Sequence, residues 1–158
     1  MSVREISEQE RRSLTMLQII VGSLAAGAML FAAVASVVAM GGGDVSIAVI
    51  LAALSVGPIL ASLGMPPLVE KQMRDRMGAA AGPAPFMVYQ TRTMVGAALL
   101  ESAAFLNLIG YLISQAPWAL AIGVACAIGI AIVHFPTVER YLRWRDRTAS
   151  GDGAGYSL

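Results

Sequence analysis

One carboxylate stands inside the long apolar runs of this sequence: Glu101, set between Leu99-Leu100 and Ser102-Ala103-Ala104. In hydrocarbon a carboxylate keeps its charge only beside a cation or water. Glu101 is therefore the candidate for holding a proton or a cation, or for a polar contact with another helix. The one histidine, His134, lies near the end of a later apolar run, just ahead of Phe135-Pro136. If the two runs fold back on each other about residue 115, Glu101 lies across from Gly129 and Ile130, with His134 about one turn away as a relay. Asn107 and Ser102 offer neutral groups for hydrogen bonds between helices. Cys126, the single thiol, reads as a small packing residue.

Little other chemistry can be assembled. One Cys and one His exclude disulfide frameworks, zinc clusters and a Ser-His-Asp triad, and no Gly-rich phosphate loop is present. The sequence reads as noncatalytic, with no cofactor and no metal. A formal net charge of +1 gives no reason to expect nucleic acid.

The elements that must position Glu101 follow from composition. Of 158 residues, 57% are hydrophobic and 13% charged, about half the charged fraction of a soluble domain. Apolar residues gather in four runs, about 17–40, 45–64, 94–113 and 117–135, each long enough to cross hydrocarbon about 30 Å thick at 1.5 Å per residue. The runs do not alternate and are too long for barrel strands, so each is expected to be a helix. Ser7-Glu8-Gln9-Glu10 has capping-box spacing and should start the first helix. Gly41-Gly42-Gly43-Asp44, Pro66-Pro67, Ser114 to Pro117 and Pro136 should end the four spans. The first run is longer than the apolar core of a cleaved signal and is expected to be retained.

All eleven Lys and Arg lie in the N-terminal arm, between spans two and three, or in the C-terminal tail, and none lies in the other two loops. The positive-inside rule then expects a multi-pass protein of the cell (inner) membrane with both termini in the cytoplasm. Tyr111 and Trp118 should mark the outer interface, and Phe86, Tyr89, Tyr141 and Trp144 the inner one.

The two halves resemble each other. Pro67-Leu68-Val69-Glu70-Lys71-Gln72-Met73-Arg74 aligns with Pro136-Thr137-Val138-Glu139-Arg140-Tyr141-Leu142-Arg143, each just after an even-numbered span. The expected fold is all-α: a four-transmembrane-helix bundle of two tandem parallel hairpins with short cytoplasmic amphipathic helices. Residues 1–77 form the first hairpin and its helix, 78–92 a linker and the start of the third helix, 93–147 the second hairpin and its helix, and 148–158 a disordered tail. Each exit helix should begin at its proline and lie on the membrane. Val138, Tyr141, Leu142 and Trp144 should meet lipid, and Arg140, Arg143 and Arg147 should reach headgroups.

Small residues should carry the packing, since apolar surface gains nothing by leaving lipid. Span four presents Ala119, Gly123, Ala127 and Ala131 on one face, span two Ala53, Gly57 and Ala61, and span one Ala28, Ala32 and Ser36. Gly57-Pro58 should kink span two. The expected partners are the lipid bilayer and either a second copy or another membrane protein.

Arg92-Thr93-Met94 followed by Ala98-Leu99-Leu100-Glu101-Ser102-Ala103-Ala104 resembles the second helix of rotary ATP synthase proteolipid (c) subunits, and Leu51 to Leu54 with Gly57-Pro58 resembles the first. That resemblance covers roughly residues 48 to 113 and implies that Glu101 is an ion-binding carboxylate. The family's glycine ladder is absent, and a charged segment of about 28 residues replaces its short polar loop. A noncatalytic subunit or scaffold remains the leading expectation, with proton or cation binding as the alternative.

Overall fold

A computed structural model describes residues 6–38, 42–77 and 85–149. It contains α1 (Glu8–Val38), α2 (Val45–Met77), α3 (Pro85–Ser114), α4 (Pro117–Gly129), a π-helical turn over Ile130–His134 that continues α4, and α5 (Val138–Ala149). Four stretches, Glu8–Val38, Val45–Asp75, Pro85–Ser114 and Pro117–His134, are long and apolar enough to cross a membrane. The fold is an all-α four-helix bundle, as the apolar runs require.

The capping box forms: the Ser7 amide donates to Glu10 Oε2 at 3.0 Å and the Glu10 amide donates to Ser7 Oγ at 3.2 Å. At the opposite end of the bundle, Ser114 Oγ accepts from the Ala116 amide at 3.2 Å, and Pro117 opens α4.

α3 is the axis of the bundle, packing against α1, α2 and α4, whereas α1 packs on α3 and α4 and not along α2. The expected first hairpin is thus continuous in sequence but split in space by α3. α2 meets α3 through Ala48, Ser55 and Ser62, buried at seven-residue intervals. Asn107 Nδ2 donates across that seam to Ser55 Oγ at 2.8 Å and within its own helix to the Ala103 carbonyl at 2.9 Å. A Cβ on Gly110 would lie 3.4 Å from Ala48 Cα, so the two backbones approach closely there. Phe31 of α1 meets Phe105 of α3 edge to face at 5.3 Å.

Several expectations are corrected. Pro66-Pro67 does not end the second helix: α2 runs on through Pro58, Pro66 and Pro67 to Met77, so the first exit is an extension of the span. Neither Pro66 nor Pro67 has an N–H to give the carbonyls of Ser62 and Leu63, and the helix holds its course over that gap because packing on α3 fixes it. Ala53 and Gly57 face outward and Ala61 is half-buried, because the seam with α3 falls on the 48/55/62 face. In α4, Ala119, Gly123 and Ala127 are buried as expected, but Ala131 is exposed. It sits in the π turn, whose wider winding moves residue 131 off the packing face and leaves Ile130 there. In α1, Ala28 and Ala32 pack inward with Ala35, and Ser36 faces out.

Thr148 and Ala149, expected in the tail, belong to α5, where Thr148 Oγ1 donates to the Arg145 carbonyl at 2.8 Å. The expected linker over 78–84, the tail from 150 and the end of span one at 39–41 lie outside the described residues.

Candidate functional site: an arginine-lined cleft at the charged end

Sequence places the charges of four separate segments at one end of the bundle, and the fold makes them meet. The start of α1, the end of α2, the start of α3 and all of α5 share this end, joined by ion pairs and rings. Glu70, on the extension of α2 and largely buried, accepts from Arg74 at 2.8 Å, Arg92 of α3 at 3.0 Å and the Trp144 indole N–H of α5 at 3.1 Å. On the other side of α5, the Tyr141 hydroxyl donates to Glu10 Oε1 at 2.6 Å, and Arg145 reaches the same carboxylate at 4.0 Å. Glu10 lies in the charged turn ahead of the span proper. Its carboxyl is held below the ordinary 4.5, chiefly by the Tyr141 hydrogen bond. The Tyr141 phenol is pushed up to about 12, first by burial and then by the bond to Glu10.

Phe86, Tyr89, Tyr141 and Trp144 form a ring cluster, with Tyr89 centred 5.2 Å from Tyr141 and 5.4 Å from Trp144. These are the four aromatics expected at the inner interface, and they do sit at the charged end. Two of them correct the lipid-facing assignment for α5: Tyr141 is 0% exposed and Trp144 5%. The apolar face of this amphipathic helix turns onto α3 and its ring cluster. Val138 remains exposed and Leu142 half-buried.

Between α2 and the π turn lies a cleft of about 460 Å³, floored by Tyr89, Arg92 and Thr93 of α3. Ser62, Leu63 and Pro66 form one wall, Val133, His134 and Phe135 the other, and Arg140, Arg143, Trp144 and Arg147 close it from α5. Among the described residues, four arginines and no carboxylate line it. Arg140, expected at headgroups, donates to the carbonyls of Ile132 at 2.8 Å and of Val133 and Phe135 at 3.1 Å, satisfying groups that the helix end leaves free. Arg143 is exposed and reaches Glu139 at 3.5 Å, while Arg147 Nε donates to the Arg143 carbonyl at 3.3 Å.

Glu101 and His134 do not come together as a relay. His134 rests on Gly96, where a Cβ would overlap the imidazole ring, and its Nε2 is buried without a hydrogen-bond partner. Gly129 faces Leu100, not Glu101. The buried stripe of α3 runs through Leu100, Ala103 and Ala104, which rotates Glu101 by about 100° to the rim of the helix. There it sits one turn before Phe105, half-buried, and among the described residues no hydrogen bond or ion pair reaches it.

The sequence reading missed Glu70 as a shared acceptor and Arg92 as part of a cleft. The signal available was charge economy: Glu70 and Glu10 are acids placed just outside apolar runs, where a carboxylate persists beside a cation. Among the described residues no group of three or more His, Cys, Asp or Glu is placed to hold a metal ion. The arrangement suits an anion.

Four spans closed at one end by a polar and aromatic cap define a helical membrane protein. Comparison with protein-family models, with curated proteins and with solved structures gives no match to this chain.

Proposed function

We propose that the protein is a noncatalytic subunit or scaffold of a membrane assembly, with Glu101 as the point where another membrane helix docks. The observation that carries this is the solitary carboxyl at the rim of α3, with no partner among the described residues of its own chain. A carboxyl in hydrocarbon without a partner is costly, and a donor on a neighbouring helix removes that cost. The outward small face of α2 supports the same reading: Ala53, Gly57 and Gly64 are exposed, and a side chain at either glycine would enter open space. Small faces of this kind let a second backbone approach closely. The one-sided clustering of cations supports placing the charged end and both termini in the cytoplasm, in the cell membrane.

A second reading rests on the same carboxyl: proton or cation uptake at Glu101, as the resemblance to proteolipid subunits implies. Two measurements separate the readings. A photo-crosslinker at position 98 or 102, the exposed neighbours of Glu101 on α3, should capture a membrane helix in intact cells. In mild detergent, Glu101→Leu should dissociate the assembly and Glu101→Gln should keep it, since the amide can still hydrogen-bond. A single-chain species with no crosslink, and carbodiimide labelling of Glu101 that sodium or rising pH suppresses, would replace the scaffold with the ion-binding reading.

We also read the matched exits as traces of a duplicated hairpin. Glu70–Arg74 at 2.8 Å and Glu139–Arg143 at 3.5 Å occupy equivalent aligned positions as i,i+4 pairs, which supports that history.

A further inference from the structure

We propose that the cleft between α2 and the π turn seats the phosphate of an anionic phospholipid, with the glycerol and acyl chains leaving over Leu63 and Val133. Charge is the first argument. Arg92, Arg140, Arg143 and Arg147 line the cleft, and among the described residues no acid does. For three of them the compensation is partial among the described residues: Arg92 shares the one carboxylate of Glu70 with Arg74, Arg143 has an exposed Glu139 at 3.5 Å, and Arg140 meets backbone carbonyls. Guanidinium groups converging on one volume match the geometry of phosphate oxygens.

Shape is the second argument, and it selects a lipid over a soluble anion. The cleft holds about 460 Å³, the size of a small-ligand site. Its lip is apolar: Leu63 is 64% exposed and Val133 51% exposed, and both belong to stretches that can cross the membrane. A free phosphate gains nothing from that lip, whereas a phospholipid joins the two regions with one molecule.

The local fold builds the cleft. α2 packs on α3, the π turn packs on α1, α3 and α4, and the described residues show no comparable packing of α2 on the π turn, which leaves the gap. Pro66 faces inward on the α2 wall, and on the opposite wall Gly96 leaves room for the His134 ring to seat closely against α3. Basic recesses between spanning helices near the cytoplasmic side are a recognised setting for phosphate headgroups.

The test is native mass spectrometry of the full chain in mild detergent, titrated with short-chain phosphatidylglycerol, short-chain phosphatidylcholine or inorganic phosphate. Phosphatidylglycerol should bind at least about tenfold more tightly than phosphatidylcholine, and inorganic phosphate in excess should not displace it. The double variant R143Q/R147Q, which leaves the carbonyl contacts of Arg140 and the Glu70 cluster in place, should weaken phosphatidylglycerol by about tenfold or more. R11Q/R12Q, at exposed positions outside the cleft, should change it less than about twofold. Equal binding of the two lipids, equal weakening by both double variants, or displacement by inorganic phosphate would each overturn the proposal. Thermal unfolding of R143Q/R147Q without lipid, matched to the parent chain, distinguishes lost binding from lost fold.

Discussion

The Tyr141 hydroxyl donates to the Glu10 carboxylate at 2.6 Å across 131 residues of sequence, tying the last described helix to the first. Tyr141 is fully buried between that carboxylate and the rings of Phe86, Tyr89 and Trp144. Replacing it by Phe keeps the rings and removes the bond. Tyr141→Phe should cost about 1–2 kcal/mol, read as a lower midpoint of thermal unfolding in detergent.

The same pair sets a pH window. The folded Glu10 carboxyl titrates below its ordinary 4.5, so its contribution is present above that pH and is lost as pH falls through the lower folded value. The Tyr141 phenol is raised from 10.0 to about 12, so its contribution is present below pH 10.0 and is lost as pH rises toward 12. Stability measured across pH should fall at both ends, and Tyr141→Phe should reduce both the alkaline and the acid loss.

Gly96 and His134 are in contact, with no room for a side chain between α3 and the π turn. Gly96→Ala should destabilise by about 1–3 kcal/mol, because the imidazole must leave its place. Adding His134→Ala should recover much of that loss. A double-mutant cycle in detergent measures the coupling, which should be clearly non-additive.

Asn107 and Ser55 supply a hydrogen bond between the spanning parts of α2 and α3. Bonds of this kind in membrane proteins contribute about 0.6 kcal/mol on average. The cycle Asn107→Ala, Ser55→Ala should return a coupling near that value. Asn107→Ala alone should cost more than Ser55→Ala, since it also removes a bond to the Ala103 carbonyl and leaves a cavity.

Glu70 gathers Arg74, Arg92 and Trp144. Glu70→Ala should cost about 1–2 kcal/mol, chiefly because it leaves the buried Trp144 indole N–H without an acceptor, while the part-exposed Arg74 and Arg92 can turn to water. Glu70→Gln should cost less, since an amide oxygen still accepts from Trp144. Unfolding midpoints of both variants give the order.

The spans were legible in the sequence because lipid imposes a rule that needs no partner: a run without charge long enough to cross must be a helix. The start of α1 was legible for the same reason, since the Ser7 and Glu10 cap is complete within four residues. Faces were harder. Ala53 and Gly57 look like residues packed inside the bundle on size alone, yet a small residue turned outward carries the same letter as one turned to a neighbouring span. The local rule for breaking a helix stops α2 at Pro66-Pro67, and tertiary packing on α3 overrides it. The cleft is half legible: Arg140, Arg143, Trp144 and Arg147 read together as one face of an amphipathic segment, but Arg92 and Glu70 come to them from other helices, and Glu70 meets Arg92 and Trp144 across 22 and 74 residues of sequence. No spacing within one segment reports such pairs.

The position of α3 has a consequence for biogenesis. A ribosome releases α1 and α2 into the bilayer before α3 exists, and in the described residues those first two crossings do not pack along each other. They therefore wait as separate inserted rods until the third arrives to recruit both, so assembly of this chain is gated by a late-made segment, and a nascent product halted before residue 85 should remain unassembled prey for membrane quality control.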